Sequence, residues 1–291
     1  MKDPSDVEAL LQRVKAGDPS AVEELCDSVR DDIYGLAMRM LGHPADAEDA
    51  TQEILILIVT HLGSFEGRCS FRTWTWRVAT NHLMKVKRGR RETVDFETLG
   101  KALDLQKTEP DTGYHPPAGE EAVLWREVKI GCSSAMLLAL DREHRLAFIL
   151  CEILELSGED AAAILEVEHA AVRKRVSRAR SQILAFMQSR CGWVDEKYPC
   201  RCAKQLPTVI RGGQLDPQHL LFATHPERKD ASSPGAKAQR IEDARKLKEK
   251  VEELDRAIDV FRSHPNYGAP DTLRSKLQRL IRGGRFKILD S

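Results

Sequence analysis

Three cysteines, Cys191, Cys200 and Cys202, stand in the pattern C-x8-C-x-C. Thiolates at this spacing suit a soft metal, zinc first, with His219 or His225 as a fourth ligand. Two plainer readings stay open, a redox switch and free thiols in a small packed turn. A second chemistry lies in the basic stretches. Arg68 to Arg91 holds eight Lys or Arg and no acid, interleaved with Phe71, Trp74 and Trp76 and followed by Asn81 and His82. Aromatics beside Arg and Asn can meet the unstacked bases of single-stranded DNA. The blander reading packs one Trp inside and lays the other over the helix edge. Arg173 to Arg180 holds five basic residues and no acid. A helix of this kind can enter the major groove of duplex DNA, or can simply be a solvated basic face. There is no phosphate-cradling glycine loop, HExxH pair or GxSxG elbow, and nothing argues for catalysis.

Helices must position these residues. Aromatics are 5% of the 291 residues, so the cores rest on Leu, Ile, Val and Ala, a mix that favours helix over sheet. The formal net charge is zero, from 45 basic and 45 acidic residues. That balance argues weakly against a nucleic-acid binder, but the local distribution decides. Helices are expected from Val7 to Ala16, from Ser20 to Leu41, from Ala45 to Leu62 and from Ser70 to Arg88. Ser20 and Glu23 form a capping box, and Asp46, Glu48 and Asp49 suit the positive end of the third helix. Residues 92–119, rich in Pro and Gly, read as a linker. Helix resumes at Glu120. Ser157-Gly158-Glu159-Asp160 starts a short helix, and a turn at Glu166 to His169 leads into a basic one, which together describe a helix-turn-helix. Val172, Val176, Ala179 and Ile183 are expected in its core, with Arg173, Lys174, Ser177 and Arg178 outside.

The order of these pieces resembles a known family. Asp46-Ala47-Glu48-Asp49-Ala50-Thr51-Gln52-Glu53, then Phe65-Glu66-Gly67, then Phe71-Arg72-Thr73-Trp74-Thr75-Trp76-Arg77-Val78-Ala79-Thr80-Asn81-His82 is similar to the second conserved region of bacterial extracytoplasmic-function sigma factors. Val172-Arg173-Lys174-Arg175-Val176-Ser177-Arg178-Ala179-Arg180 resembles the end of their fourth region. The resemblance implies an all-α fold: a region 2 helical bundle (5–91), a flexible linker (92–119), a helix-turn-helix region 4 (120–190) and a mainly helical extension (191–291). It implies a factor that directs core RNA polymerase to promoters and assists strand opening. Asp49, Gln52 and Glu53 would then dock on the polymerase β′ subunit. Phe65, Arg68, Arg72, Trp76, Arg77 and Asn81 would handle the −10 element, with Trp76 as an aromatic wall. Arg173, Lys174, Arg175, Ser177 and Arg178 would read the −35 element as duplex, and the linker would run along the polymerase, including its β subunit. An anti-sigma factor is a further partner the resemblance suggests. The chain departs from the family at Thr75 (usually Leu), at Ala171 (usually Thr) and at Lys174 (commonly Ser), which puts the −35 sequence read in question.

In the extension, Ile241, Ala244, Leu247, Val251, Leu254, Ile258 and Phe261 form one stripe of a long charged helix, and Leu273, Leu277, Leu280 and Ile281 one of a short helix. The extension is expected to fold back on one or both DNA-binding domains. The N-terminus shows no signal-peptide pattern, and the apolar run Ile54 to Val59 is too short to span a bilayer, so the cytoplasm is the expected home. Two alternatives remain: a helix-turn-helix regulator that is not a sigma factor, and a Cys-centred metal or redox sensor.

Overall fold

A computed structural model describes residues 4–86, 94–106, 120–198, 200–226 and 255–283. Every extended element among them is helical: α1 (Pro4–Lys15), α2 (Pro19–Leu41), α3 (Pro44–His61), α4 (Phe71–Lys85), α5 (Phe96–Gln106), α6 (Glu121–Ala139), α7 (Arg142–Phe148), α8 (Gly158–Leu165), α9 (His169–Gln188), α10 (Cys202–Arg211), α11 (255–262) and α12 (Asp271–Arg282). The all-α expectation holds. The packing, however, does not follow sequence order. One compact unit gathers the described parts of Met1–Arg88, Leu156–Val172 and Tyr267–Ser291; a second gathers those of Gly89–Glu155 and Arg173–Asn266.

In the first unit α2 is the central element, packed on α1, α3, α4 and α12. Its start differs from the expected Ser20 cap. Asp18 is the cap, accepting from the Ser20 backbone N–H at 2.9 Å, and Pro19 follows where a missing N–H does no harm. Hydrogen bonds from the Ser20 hydroxyl and then Arg13 hold the Asp18 carboxyl down at about 2. Gly42, at φ 70°, closes the helix, and its N–H returns to the Met38 carbonyl. Val22, Leu25, Val29, Ile33 and Leu36 on α2 are buried, as are Ile54, Leu55 and Ile58 on α3. Their steps of three and four make the helix–helix seam.

In the second unit α6 supports α10 and the loop after it. Leu124 and Val128 share one face of α6 and pack against Leu206 and Leu215. Glu127 is 5% exposed, and its carboxylate accepts from the backbone N–H groups of Leu221 (2.8 Å), Phe222 (3.0 Å) and Ala223 (2.6 Å). The expected linker also holds structure. Asp95 accepts from the Thr98 N–H at 2.8 Å and opens α5, whose Phe96 ring packs 5.4 Å from Phe186. Residues 107–119 of that linker, and Ile241, Ala244, Leu247, Val251 and Leu254 of the long stripe, lie outside the described residues. Ile258 and Phe261 of the same stripe are buried on α11.

Charged hydrogen bonds into a buried site contribute about 1.5–3 kcal/mol each, and donors left unmade are penalised. Glu127→Ala is expected to lower the unfolding free energy by about 3 kcal/mol in urea titrations, whereas Glu120→Ala, exposed at the start of α6, changes it by less than about 0.5 kcal/mol. Equal midpoints for the two variants would show that the carboxylate does not hold the 221–223 loop.

Candidate nucleic-acid interface

α4 begins at Ser70, whose hydroxyl oxygen accepts from the Thr73 N–H at 3.0 Å. Around its first turn Phe65, Phe71 and Trp74 form one aromatic group, with ring centroids 5.6–5.9 Å apart. Phe65 and Trp74 are half-buried, so this group is the one that offers ring surface near the loop. Trp76 faces inward at 5% exposure, with the Arg72 guanidinium 5.8 Å from its ring. Of the two tryptophans, the half-buried Trp74 rather than Trp76, expected as the aromatic wall, lies with Phe65 near the surface. Arg68 pairs with Glu66 at 2.5 Å in the open, and Asn81 is exposed. Arg77 is engaged: its Nε donates to the Ala163 carbonyl at 2.8 Å and its terminal nitrogen lies 3.5 Å from Glu166. Both partners belong to α8 and its end, which pack on α4 within the first unit.

Along α3, Ala47, Ala50, Thr51, Ile54 and Leu55 turn inward, so Asp49 and Glu53 are left exposed and Gln52 half-buried. The Glu53 carboxylate lies 3.3 Å from His82 Nε2 on α4. Burial lowers the His82 pKa more than the neighbouring Glu53 charge raises it.

Ser157 caps α8, its hydroxyl accepting from the Asp160 N–H at 3.0 Å, as the sequence signal requires. Glu166 ends α8 in the left-handed region at φ 54°, which reverses the chain into α9. On α9 the expected stripe is buried: Val172, Val176, Ala179 and Ile183. The opposite side exposes Arg173, Lys174, Ser177 and Arg178, four polar groups on one helix face. Arg175 is held back by an ion pair to Glu143 at 2.7 Å, and Arg180 by one to the buried Glu152 at 2.5 Å. That face can neutralise phosphates and hydrogen-bond base edges, as a recognition helix does.

Cys191 and Cys200 meet in an isolated parallel bridge, with the Gly192 N–H donating to the Cys200 carbonyl at 3.2 Å, and Cys202 opens α10. Burial raises the Cys202 thiol to about 11, with Cys191 and Cys200 adding to the shift. Cys132, on α6, is raised by burial first and then by Cys202, Cys200 and Cys191, so a fourth thiol stands near the three. No sequence signal pointed to Cys132, which sits alone within a helical run. The imidazole of His219 lies 2.9 Å from Asp216 instead of joining them. Among the described residues no three His, Cys, Asp or Glu side chains are grouped to hold a metal ion. No helix among the described residues is long and apolar enough to cross a membrane.

Comparison with known proteins matches Sigma-70 region 2 to residues 25–93 and Sigma-70, region 4 to residues 132–183. The ECF RNA polymerase sigma factor SigW of Bacillus subtilis is 31% identical over 178 residues, covering 60% of this chain and 92% of SigW. The RNA polymerase sigma-H factor of Pseudomonas aeruginosa is 32% identical over 183 residues, covering 62% of this chain and 92% of that protein. The solved structure of CnrH in complex with the cytosolic domain of CnrY covers 62% of this chain and 96% of its own, with 23% identity and a TM-score of 0.43. The two regions occur in the family's order, and the relatives are matched almost end to end. The chain belongs to the extracytoplasmic-function sigma factors of the sigma-70 family.

Proposed function

We propose that this sigma factor recruits core RNA polymerase through α3, opens the −10 element through α4 and the loop before it, and reads the −35 element through α9. One observation carries the reading. The exposed face of α9 gathers Arg173, Lys174, Ser177 and Arg178, directly opposite a buried stripe that fixes its orientation. Arg173 and Arg178 suit guanine edges by bidentate hydrogen bonding, whereas Lys174 suits a phosphate as a point charge. Asp49, Gln52 and Glu53 offer acceptors on an uncovered helix face for the polymerase β′ subunit, and the chemistry of RNA synthesis stays with the polymerase. On α4, Asn81 and Arg72 with the Phe65–Phe71–Trp74 group supply the hydrogen bonds and stacking surface for an exposed base. Arg77 joins them once it leaves Ala163 and Glu166. The setting is the cytoplasm, where core polymerase and promoters are.

Run-off transcription with core enzyme across a promoter library tests the whole reading. Transcripts starting from a shared −35/−10 pair support it; their absence at every promoter overturns it. Point variants separate the contacts. Arg173→Ala or Arg178→Ala is expected to weaken binding by about 1–3 kcal/mol and relax preference at one base pair, while Lys174→Ala weakens all sequences alike and lowers the salt slope by about one. The double variant Asp49→Arg, Glu53→Arg is expected to lose co-purification with core enzyme while keeping its helical circular dichroism. Retention on the polymerase would place docking elsewhere on the chain, whereas failure of the natural chain itself to bind core enzyme would favour a helix-turn-helix regulator.

A further inference from the structure

The extension beyond residue 183, where the region 4 match ends, is built as two grips in direct succession. In the second unit, α11 buries Ala257, Ile258, Val260 and Phe261. Phe261 meets Phe148 edge-on at 5.4 Å, Arg262 Nε donates to the Glu152 carbonyl at 2.8 Å, and a ring nitrogen of His264 lies 2.5 Å from the Ser133 hydroxyl. Each of those partners lies within residues 132–183, the region 4 match.

In the first unit the chain then grips region 2. Tyr267 is buried beneath the Arg39 guanidinium, 5.1 Å from its ring centroid. The Ala269 N–H donates to Asp31 at 3.2 Å, Arg274 pairs with Asp27 at 2.8 Å, and Arg282 pairs with Glu23 at 2.8 Å. Glu23, Asp27 and Asp31 are spaced by four along α2, and the basic groups of α12 match that acidic row. Leu273, Leu277 and Ile281 are buried below it. Only Pro265 and Asn266 separate the anchors at His264 and Tyr267.

We infer that residues 255–282 are a strap that holds regions 2 and 4 in a closed form unable to occupy both promoter elements at once. The inference rests on the sigma reading above. Elements numbered −10 and −35 lie roughly 85 Å apart along B-form DNA, at 3.4 Å per base pair. Two residues and their flanking peptides span at most about 11 Å. Adding the full width of two domains of this size brings the reach to about 65 Å, short of the spacing. One grip must let go before both elements are read. The packing of α8 on α4, with Arg77 tied to Ala163 and Glu166, is a second mark of the closed form, because it covers the helix assigned to the −10 element. Of the two grips, the one at α12 carries the surface ion pairs, Arg274 with Asp27 and Arg282 with Glu23, and is the one taken to release.

The test is run-off transcription at limiting factor with three full-length proteins, the natural chain, Leu277→Asp with Ile281→Asp, and the swap Glu23→Arg with Arg282→Glu, together with a chain ended after Asn266. Small-angle scattering on each reports compactness. The double Asp variant and the shortened chain are expected to be more extended and at least about tenfold more active, the gain when a competent state rises from under a tenth to most of the population. The swap, which keeps the pair with its charges exchanged, is expected to match the natural chain. Activity equal across all four, whether or not the released forms expand, overturns the strap while leaving the sigma reading intact. Inactivity of all four with core enzyme overturns the sigma reading and the strap with it.

Discussion

A helix with one apolar stripe is unstable in water until that stripe is covered, and this requirement organises the molecule. With few aromatics available, each contact is made by rows of Leu, Ile, Val and Ala at steps of three and four. Burying one such side chain contributes about 1.5–3 kcal/mol, and ordering each residue costs about 1–2 kcal/mol, so a short helix is held only while its whole row is matched. The row on α9 is buried along its length, which leaves a basic face outside. The row on α12 is matched by three side chains and a fringe of ion pairs. The first arrangement suits a reader of DNA, the second a part that comes and goes.

The acids divide in the same way. Asp49 and Glu53 stand in the open on α3, whereas Glu23 and Asp27 on α2 are paired with Arg282 and Arg274, and Asp31 accepts from the Ala269 N–H. Residues of one charge type thus serve separate partners because they stand on different helices, α2 turning its acids to α12 and α3 turning Asp49 and Glu53 outward. Net charge, which is zero, carries none of this information.

Local pattern was legible, and distant pairing was not. The Ser157 cap, the Val172–Val176–Ala179–Ile183 stripe and the all-α architecture follow from spacing that a few residues define. Both family regions were legible for the same reason, since their motifs are continuous stretches of chain. The choice between Asp18 and Ser20 as cap turned on which residue precedes Pro19, and α5 was hidden by the Pro- and Gly-rich sequence after it. The approach of Cys132 to Cys202 and the hold of Ala163 on Arg77 depend on partners 70 and 86 positions away. No periodicity encodes those.

The Glu127 clip bears on how freely the extension can change its sequence. Its carboxylate is met by main-chain N–H groups, which residues of any type except proline possess. Leu221 and Ala223 can therefore be exchanged widely while the loop keeps its moorings; Phe222, buried beside α6, is under more constraint. One acidic residue on α6 bears the burden of identity for a loop whose own donors are anonymous, so the extension can drift, and acquire new surfaces, without coming adrift from that helix.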